Sequence, residues 1–372
     1  MKVLITGGAG FIGLKLAKVL LGKGYEVALL DSLSPQIHGH LPVLDLPDGV
    51  EFHRLDVRDT QALADVVKEC TVIYHLAAET GTGQSMYRIK DYVSVNELGT
   101  ASLLEAMAET RSIRRKLVLA SSRSVYGEGA YVDPKKPSDL LSVSSRSAQQ
   151  LADGQWEPID SEGGQVVAVA TPESFPIEAA SVYAATKASQ ELLCRAASSS
   201  VNAEISILRF QNVYGEGQSL QNPYTGIISI FFNQARQGKQ ISLYEDGLES
   251  RDFIHVDDVV ACLETCGESS LSQGTTINVG SGKATSVKEL ASTLLKAADY
   301  DVAVKVTGEY RVGDIRHCFA DITQMESLLG VSPAVSLEDG LGRFCAWAKQ
   351  QAVYEDKSAI AKEELMSRGL AS

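Results

Sequence analysis

Three side chains near the middle of the sequence have the types and the spacing needed to take a proton from an alcohol. Tyr183 and Lys187 are four residues apart in YAATK, so a helix would place them on one face. A tyrosine with an ordinary pKa of about 10 is a poor base at neutral pH, but a neighbouring ammonium favours the phenolate. Ser122 ends the apolar run KLVLASS and could hydrogen-bond to the same substrate oxygen. We therefore predict Ser122, Tyr183 and Lys187 as catalytic residues for redox chemistry at a carbon that carries a hydroxyl group.

A glycine-rich segment near the N-terminus has the pattern of a dinucleotide-binding loop. TGGAGFIG (6–13) follows the apolar run KVLIT (2–6) and opens a segment with helical periodicity. Glycine allows a positive φ and leaves room for a pyrophosphate, and the unpaired N–H groups at the start of a helix can bind that anion. A purely structural glycine turn is the alternative.

The end of the next predicted strand indicates which dinucleotide is bound. Asp31 stands where a carboxylate accepts hydrogen bonds from the ribose hydroxyls and repels a 2′-phosphate. Because residues 32–34 contain no Arg or Lys, NAD is favoured over NADP. Asp56, followed by Val57, would touch the adenine, although a surface aspartate is the alternative. The predicted cofactor residues are Gly7, Gly10, Phe11, Ile12, Gly13, Asp31, Asp56, Val57, Tyr183 and Lys187.

The elements that would carry these residues alternate between apolar runs and helical patterns. Strands separated by helices indicate βαβ units, so we predict an α/β fold with a doubly wound parallel sheet of Rossmann type and a smaller C-terminal substrate-binding domain. The predicted strands lie at 2–6, 26–31, 50–57, 72–78, 116–122 and 205–210, and the helices of this part at 11–24, 63–70 and 100–110.

The chain has 372 residues, more than one compact core usually holds, and the pattern changes after residue 214. Residues 128–180 show no long period, which is typical of a functional or locally disordered insertion. The charged tail is predicted as a surface helix or a frayed end. The predicted divisions are 1–214 with 252–280 returning to it, a smaller substrate-binding lobe at 215–251 and 281–350, and a tail at 351–372.

The composition excludes several classes of partner. A net charge of −13 gives no basic footprint for nucleic acid. No apolar run reaches the roughly 20 residues that a membrane helix needs, and the first residues do not resemble a signal peptide. The six cysteines form no CxxC pair, and residues 128–180 contain neither Cys nor His, so we expect buried thiols and no metal site. The chain is expected to be cytoplasmic.

Further motifs carry a resemblance to a known family. These motifs are VSVNELGT, SSRSVYG, LRFQNVYG, RDFIHVDDV and NVGSG. Together with the motifs above, they resemble the extended short-chain dehydrogenase/reductases in the nucleotide-sugar epimerase/dehydratase branch, over roughly residues 1–345. Within that branch, HLAAETGTGQSM (75–86), QSLQNPYTG (218–226) and EDGLESRDF (245–253) are most similar to the dTDP-L-rhamnose 4-epimerases and their close relatives.

The resemblance implies a set of substrate-binding residues. Arg251 and Arg311 would pair with the diphosphate, because a guanidinium fork matches phosphate oxygens. Asn212 would bind near the phosphates, and Asp314 would contact the nucleoside or orient an arginine. A surface arginine is the alternative for each of the two cations.

The loop after the fourth strand is implied to lie against both ligands. Glu79 and Thr80 would face the sugar, as would Ser122, although a structural role suits Glu79 and Thr80 equally. The residues implied at the cofactor are Leu76, Ala77 and Ala78, which would pass beneath it, and Asn96, which would brace the strand ends.

Two departures from the family pattern narrow the chemistry. Dehydratases of this branch have Asp-Glu directly after the catalytic Ser or Thr, but this chain has Arg123 and Ser124. Neither can act as a carboxylic acid, so dehydration is disfavoured, and decarboxylation also loses its usual glutamate. Gln211 stands where many relatives have a phenylalanine beside the nicotinamide.

The sequence therefore predicts an NAD-dependent nucleotide-sugar 4-epimerase that oxidises its substrate to a 4-keto sugar and reduces it again on the other face. The expected substrate is a dTDP-6-deoxyhexose such as dTDP-L-rhamnose. An NAD(P)-dependent reductase or dehydrogenase with exchangeable cofactor and a non-catalytic dinucleotide-sensing protein remain as alternatives. Family analogy implies a homodimer through the helices near 100–110 and 183–198.

Overall fold

Seven parallel strands form the central sheet of the molecule. The computed structural model describes residues 1–39, 44–222, 226–311, 313–354 and 363–371, so residues 223–225 of QSLQNPYTG and Val312 of RVGD lie outside the described residues. The strands are β1 Lys2–Thr6, β2 Glu26–Asp31, β3 Glu51–Arg54, β4 Val72–His75, β5 Arg115–Ser122, β6 Tyr131–Asp133, β7 Lys136–Leu141, β8 Val167–Ala168, β9 Ala203–Phe210, β10 Asn212–Tyr214, β11 Ile241–Leu243, β12 Ser250–Arg251, β13 Phe253–His255, β14 Thr275–Val279, β15 Thr285–Ser286, β16 Val304–Val306 and β17 His317–Cys318.

Helices cover both faces of this sheet. One apolar core lies against the helices Phe11–Gly22 and Val256–Glu268, and another lies against the helices Thr60–Val67, Gly99–Glu109 and Val182–Ala197. In the described ranges, no helix combines the length and the apolar character that crossing a membrane requires. The helices are α1 Phe11–Gly22, α2 Pro35–His38, α3 Thr60–Val67, α4 Thr82–Ser85, α5 Ile89–Tyr92, α6 Gly99–Glu109, α7 Ala148–Ala152, α8 Val182–Ala197, α9 Ile227–Arg236, α10 Val256–Glu268, α11 Val287–Ala298, α12 Thr323–Leu329 and α13 Leu337–Lys349, with a π-helix at Val93–Leu98 and a 3-10 turn at Arg123–Tyr126.

The strand order brings the candidate residues to one edge of the sheet. The order is β14-β9-β5-β4-β1-β2-β3, and every pairing is parallel. The order in which successive strands are added to the sheet therefore reverses between β1 and β4. In such folds, ligands bind beyond the strand ends at this point. Thr6 pairs with His75, and Ser122 pairs with Phe210, so the loops after these strands converge. The predicted α/β fold is confirmed.

A separate apolar core lies beyond this edge. Phe232, Leu290, Leu294 and Phe344 are buried together between α9, α11 and α13. These helices fall within the ranges predicted for the smaller lobe, and the division of the chain into domains stays a prediction. Strands β12 and β17, which belong to these ranges, pair in parallel.

The insertion at 128–180 contains regular structure, whereas the sequence indicated a functional or locally disordered loop. Strands β7, β6 and β8 form an antiparallel sheet, and α7 lies between β7 and β8 in the sequence. Charged residues then join the insertion to the smaller lobe. Arg146 donates to the Glu245 carboxylate at 2.8 Å, and Arg316 donates to Glu245 at 2.9 Å and to Glu157 at 2.6 Å. These partners are distant in sequence, so the sequence pattern gave no sign of this arrangement.

The C-terminal tail differs from the predicted surface helix or frayed end. Of the predicted tail, residues 355–362 and Ser372 lie outside the described residues. Residues 363–366 form one helical turn in which Leu365 is only 6% exposed. The tail therefore packs against the rest of the molecule at this point.

Candidate active site

The glycines of the loop between β1 and α1 pack closely against backbone atoms at the start of the helix. Gly7 has φ +67°, and a Cβ on it would lie 2.9 Å from the backbone nitrogen of Ala77. A Cβ on Gly13 would lie 2.6 Å from the carbonyl oxygen of Gly7. Gly10 is the N-cap residue of α1, so no side chain caps the helix start. The first turn, which begins with Phe11 and Ile12, has no acidic residue. The residues present thus fit the pyrophosphate of a dinucleotide.

Asp31 is held at the end of β2 beside this loop. One carboxylate oxygen accepts from the backbone N–H of Ala9 at 3.1 Å, and the other accepts from that of Leu33 at 2.9 Å. The negative charge therefore has a fixed position next to the glycine loop. Such a charge suits ribose hydroxyls and disfavours a 2′-phosphate.

Asp56 and Val57 follow β3 at the same edge. Asp56 is paired with Arg58, whose Nε donates to its carboxylate at 2.8 Å, and this hydrogen bond holds the pKa of Asp56 below its usual value. Val57 is buried against Gly99. The contact of Asp56 and Val57 with an adenine stays a prediction.

The loop after β4 is tied to α8 through a buried amide. The Asn96 Oδ1 accepts from the backbone N–H of Glu79 at 2.8 Å, and its Nδ2 donates to the Thr186 hydroxyl at 2.9 Å. Leu76, Ala77 and Ala78 precede this link, and the first two pass beside Gly7. The structure therefore places the residues implied for the cofactor along one wall of the site.

Ser122, Tyr183 and Lys187 are brought together by β5 and α8. Ser181 caps α8 by accepting from the backbone N–H of Ala184 at 3.1 Å, which fixes the start of the helix. The Ser122 hydroxyl lies near the Tyr183 phenol and favours its ionised form. One helical turn further on, the Lys187 ammonium donates to the carbonyl oxygen of Ala120 at 2.8 Å. The serine and the tyrosine can therefore share one substrate oxygen.

The charges around Tyr183 differ from the expected arrangement. Burial raises the pKa of Tyr183, while the hydrogen bond from Ser122 and the positive charge of Arg123 oppose this rise. Burial lowers the pKa of Lys187 to about 8. The expected effect of the Lys187 ammonium on the phenolate stays a prediction. A nearby charge that favours the phenolate belongs to Arg123.

The predicted diphosphate residue Arg251 is held mainly by the protein itself. Its Nη1 donates to the carbonyl oxygens of Ser250 and Arg316, and its Nη2 donates to Ile315 at 2.6 Å and to the Asp314 carboxylate at 3.1 Å. The surrounding arginines, Arg251 foremost, hold the pKa of Asp314 below its usual value. Of the two roles considered for Asp314, this geometry favours orienting an arginine.

Arg311 and Asn212 lie on the side of the smaller lobe. Arg311 is exposed, and its guanidinium lies 4.8 Å from the centre of the Tyr244 ring. The Asn212 Nδ2 donates to the carbonyl oxygen of Asp252 at 3.0 Å, where β10 pairs with β13. Both side chains are therefore positioned by contacts with neighbouring strands or loops.

Glu79 and Thr80 belong to the loop that Asn96 joins to α8. Burial raises the pKa of Glu79. The carbonyl oxygen of Thr80 accepts from the Tyr92 hydroxyl at 2.7 Å, and the Tyr92 ring meets that of Tyr183 edge to face with centres 6.4 Å apart. Thr80 thus also supports the position of Tyr183.

In the sequence, Arg123 was noted only because it stands where dehydratases of this branch have a carboxylic acid. Its half-buried guanidinium lies near Arg251, Asp314 and the Cys318 thiol, and its charge also favours the ionised form of Tyr183. It therefore lies between the candidate base and the candidate diphosphate residues. The signal that points to it is a cation directly after Ser122. Within the described part of the chain, no three His, Cys, Asp or Glu side chains are arranged to hold a metal.

Comparison with known families agrees with this site. The model of the NAD dependent epimerase/dehydratase family matches residues 3–148 and 162–280. The chain belongs to this family. The resemblance found in the sequence is thereby confirmed.

Individual family members are similar along almost the whole chain. The dTDP-L-rhamnose 4-epimerase of Burkholderia thailandensis is 39% identical over 94% of this chain and 95% of its own length. The UDP-glucose 4-epimerase of Mycolicibacterium smegmatis is 30% identical over 92% and 97%. The solved UDP-glucuronic acid 4-epimerase of Bacillus cereus, in complex with UDP-glucuronic acid and NAD, has a TM-score of 0.75 at 28% identity and covers 94% and 99% of the two chains.

Proposed function

We propose that this chain is an NAD-dependent nucleotide-sugar 4-epimerase with Ser122, Tyr183 and Lys187 as its catalytic residues. The observation that carries the proposal is the position of Ser122, at the carboxyl end of β5, beside the Tyr183 phenol at the start of α8, where the serine favours the ionised form of the phenol. Two hydroxyl groups at that place can bind one alcohol oxygen. The family membership agrees with this chemistry.

The cofactor proposed is NAD, held by Gly7, Gly10, Gly13 and Asp31. When bound, NAD accepts a hydride from a sugar carbon and returns it, so the net reaction needs no second reactant. The tight packing around the glycines and the open helix start support this assignment. In the proposed site, the Lys187 side chain holds the nicotinamide ribose from the α8 side.

The proton is handled by this chain's own residues. The Tyr183 phenolate takes the proton from O4 as C4 is oxidised, and Ser122 donates a hydrogen bond to the same oxygen. Arg123 favours the phenolate by its positive charge. After the ring of the 4-keto sugar has turned about its diphosphate, Tyr183 returns the proton to O4. The configuration at C4 is then inverted without exchange of the C4 hydrogen with solvent.

The diphosphate is the pivot of that rotation. Arg251, Arg311 and Asn212 are proposed to hold it, with Asp314 fixing the orientation of Arg251 through the 3.1 Å contact. Guanidinium groups suit this task because their planar donors match phosphate oxygens. The sugar itself is proposed to lie against Glu79, Thr80 and Ser122.

We propose a dTDP-6-deoxyhexose such as dTDP-L-rhamnose as the substrate. The 39% identity to the Burkholderia thailandensis dTDP-L-rhamnose 4-epimerase supports this choice over UDP-sugars. The test is a panel of dTDP-, UDP-, GDP- and CDP-sugars followed by NMR for formation of the C4 isomer. We expect a dTDP-6-deoxyhexose to be converted fastest. Conversion only of a UDP-sugar would contradict the substrate, and conversion of none would contradict the activity.

A cofactor assay separates this proposal from its main alternative. Purified protein should retain one equivalent of NAD through gel filtration. A reductase or dehydrogenase with exchangeable cofactor would instead lose it and would need added dinucleotide for every turnover.

We propose that the protein acts as a homodimer through α6, α8 and the adjoining π-helix. Leu98, Val93 and Leu192 are large apolar side chains exposed on these neighbouring helices, with Leu192 the most exposed at 63%. Apolar groups grouped on one face favour burial against a second copy.

A further inference from the structure

The last described residues of the chain return to the candidate active site. We define residues 363–371 as the C-terminal strap. The strap contacts the segment around α4 at its beginning and Arg311 near its end. The first contact point follows β4 of the central sheet, and Arg311 belongs to the part of the chain with the smaller lobe.

The first contact combines an apolar anchor with a polar pair. Leu365 is 6% exposed, and its methyl groups lie beside Gly83 in α4. The Tyr87 hydroxyl donates to the Glu364 carboxylate at 2.6 Å. The Arg368 guanidinium lies 4.3 Å from the centre of the Tyr87 ring. Together these contacts fix one helical turn against the loop that follows α4.

The turn ends in a way that directs the chain toward Arg311. Gly369 has φ +70°, and the backbone N–H of Leu370 donates to the carbonyl oxygen of Leu365 at 3.0 Å. A left-handed glycine with this hydrogen bond closes a helix and reverses the chain. Ala371 then forms an antiparallel bridge with Arg311.

Both contact points are connected to residues of the proposed mechanism. On one side, the Ser85 hydroxyl of α4 accepts from the backbone N–H of Tyr183 at 3.0 Å. On the other side, Arg311 is a proposed diphosphate residue and stacks on Tyr244. The strap therefore joins the segment behind the base to the segment that holds the diphosphate.

We propose that the C-terminal strap closes the entrance of the nucleotide-sugar site and retains the 4-keto sugar nucleotide while its ring turns. This inference rests on the proposed epimerase function. Oxidation removes a hydride from C4 and a proton from O4, so a ketone that escapes leaves two electrons behind on the cofactor. The enzyme is then unable to oxidise another sugar. A strap held by a few contacts can open for substrate and product while slowing this loss.

The test compares two substitutions on the same helical turn of the full-length protein. Leu365→Asp places a charge at the buried anchor, while Met366→Asp places the same charge on a side chain that is 47% exposed. Trypsin cleavage after Arg368, followed by mass spectrometry without ligand, measures docking of the strap. The absorbance of reduced cofactor during turnover measures escape of the ketone.

We expect Leu365→Asp to be cleaved about tenfold faster than Met366→Asp, because loss of the anchor shifts the strap toward its open state. Reduced cofactor should also accumulate in Leu365→Asp, with free keto sugar visible by NMR, while Met366→Asp behaves as the unaltered protein. Equal cleavage of the two variants overturns the docking. Faster cleavage without accumulation of reduced cofactor overturns the retention. If the unaltered protein converts no nucleotide sugar, the proposed function fails instead, and the cleavage rates still report on docking.

Discussion

At the scale of single residues, proton transfer and anchoring are proposed to belong to different side chains. Tyr183 is proposed to carry the proton and Ser122 to share the substrate oxygen, while the positive charge of Arg123 favours the phenolate. Lys187, with a pKa lowered to about 8 by burial, is proposed to hold the cofactor ribose. Each assignment predicts a different consequence when the side chain is changed.

Tyr183→Phe should lower kcat by about 10³-fold, since a positioned acid–base group typically contributes 10² to 10⁴. Binding of the nucleotide sugar, measured by titration calorimetry, should change little because the diphosphate contacts remain. Tyr25→Phe is the control, as it removes a phenol that hydrogen-bonds to Glu268 at the surface. Near-normal turnover of Tyr183→Phe would remove this residue from its role.

Arg123→Gln should raise the pKa of Tyr183, because a positive charge that favours the phenolate is lost. At a given pH a smaller fraction is then ionised, so the rising limb of kcat against pH should move to higher pH. Arg123→Lys keeps the charge and should leave the limb near its original position. An unchanged limb in Arg123→Gln, or a limb moved to lower pH, would show that this charge does not act on the base.

At the scale of elements, the glycine loop depends on close contact between β1, α1 and the segment after β4. Gly7 and Gly13 lie where a Cβ would meet backbone atoms, at 2.9 Å and 2.6 Å. Gly22 ends the same helix, and nothing lies within 4 Å of a Cβ there. Two glycines of one helix are therefore under opposite constraints.

Gly13→Ala should lower the free energy of unfolding by about 1–3 kcal/mol, because the added methyl group meets the Gly7 carbonyl and the loop must shift. NAD content after purification should fall with it. Gly22→Ala should instead be neutral or stabilising, by up to about 1 kcal/mol, because alanine favours a helix. Urea denaturation measures both variants. A Gly13→Ala protein with unchanged stability and full NAD would contradict the close packing.

Sequence patterns predicted these elements where the signal is local. KVLIT, the glycine loop and Asp31 are adjacent in sequence, so period, turn and strand end appear in one window. The contact of Asn96 with Thr186 spans 90 residues, and that of Arg146 with Glu245 spans 99, so no window contains both partners. The same reason explains why the docking of Leu365 was missed. The hairpin of β6 and β7 is local, but the exposed strand KPSDLL has no apolar alternation that would indicate a strand. Arg123 was seen but not understood, because its neighbours Arg251 and Cys318 come from other strands.

At the scale of the whole molecule, the proposed dimer would bury the apolar surface left on the helices of one face. The π-helix and α8 lie side by side and expose Leu98 and Leu192. Neither residue takes part in the cores that cover the central sheet. A second copy of the chain is the proposed cover for this surface.

Leu192→Asp should shift the protein from dimer to monomer in sedimentation velocity, because a carboxylate in an apolar interface is costly to desolvate. Leu328→Asp, which changes an exposed leucine of α12, is the matched control and should stay dimeric. A Leu192→Asp protein that remains dimeric would place the interface elsewhere. An unaltered protein that is monomeric would show that no such interface forms.

We propose that C4 of the sugar loses its hydrogen to a bound cofactor and regains the same hydrogen on the other face. The most direct measurement uses the nucleotide sugar identified by the panel, carrying deuterium at C4, with NMR of the epimerised product. The account predicts that the deuterium remains on C4 of the inverted sugar in ordinary water. Replacement of the label by solvent hydrogen would contradict it, since the proton would then have been removed from carbon by a base.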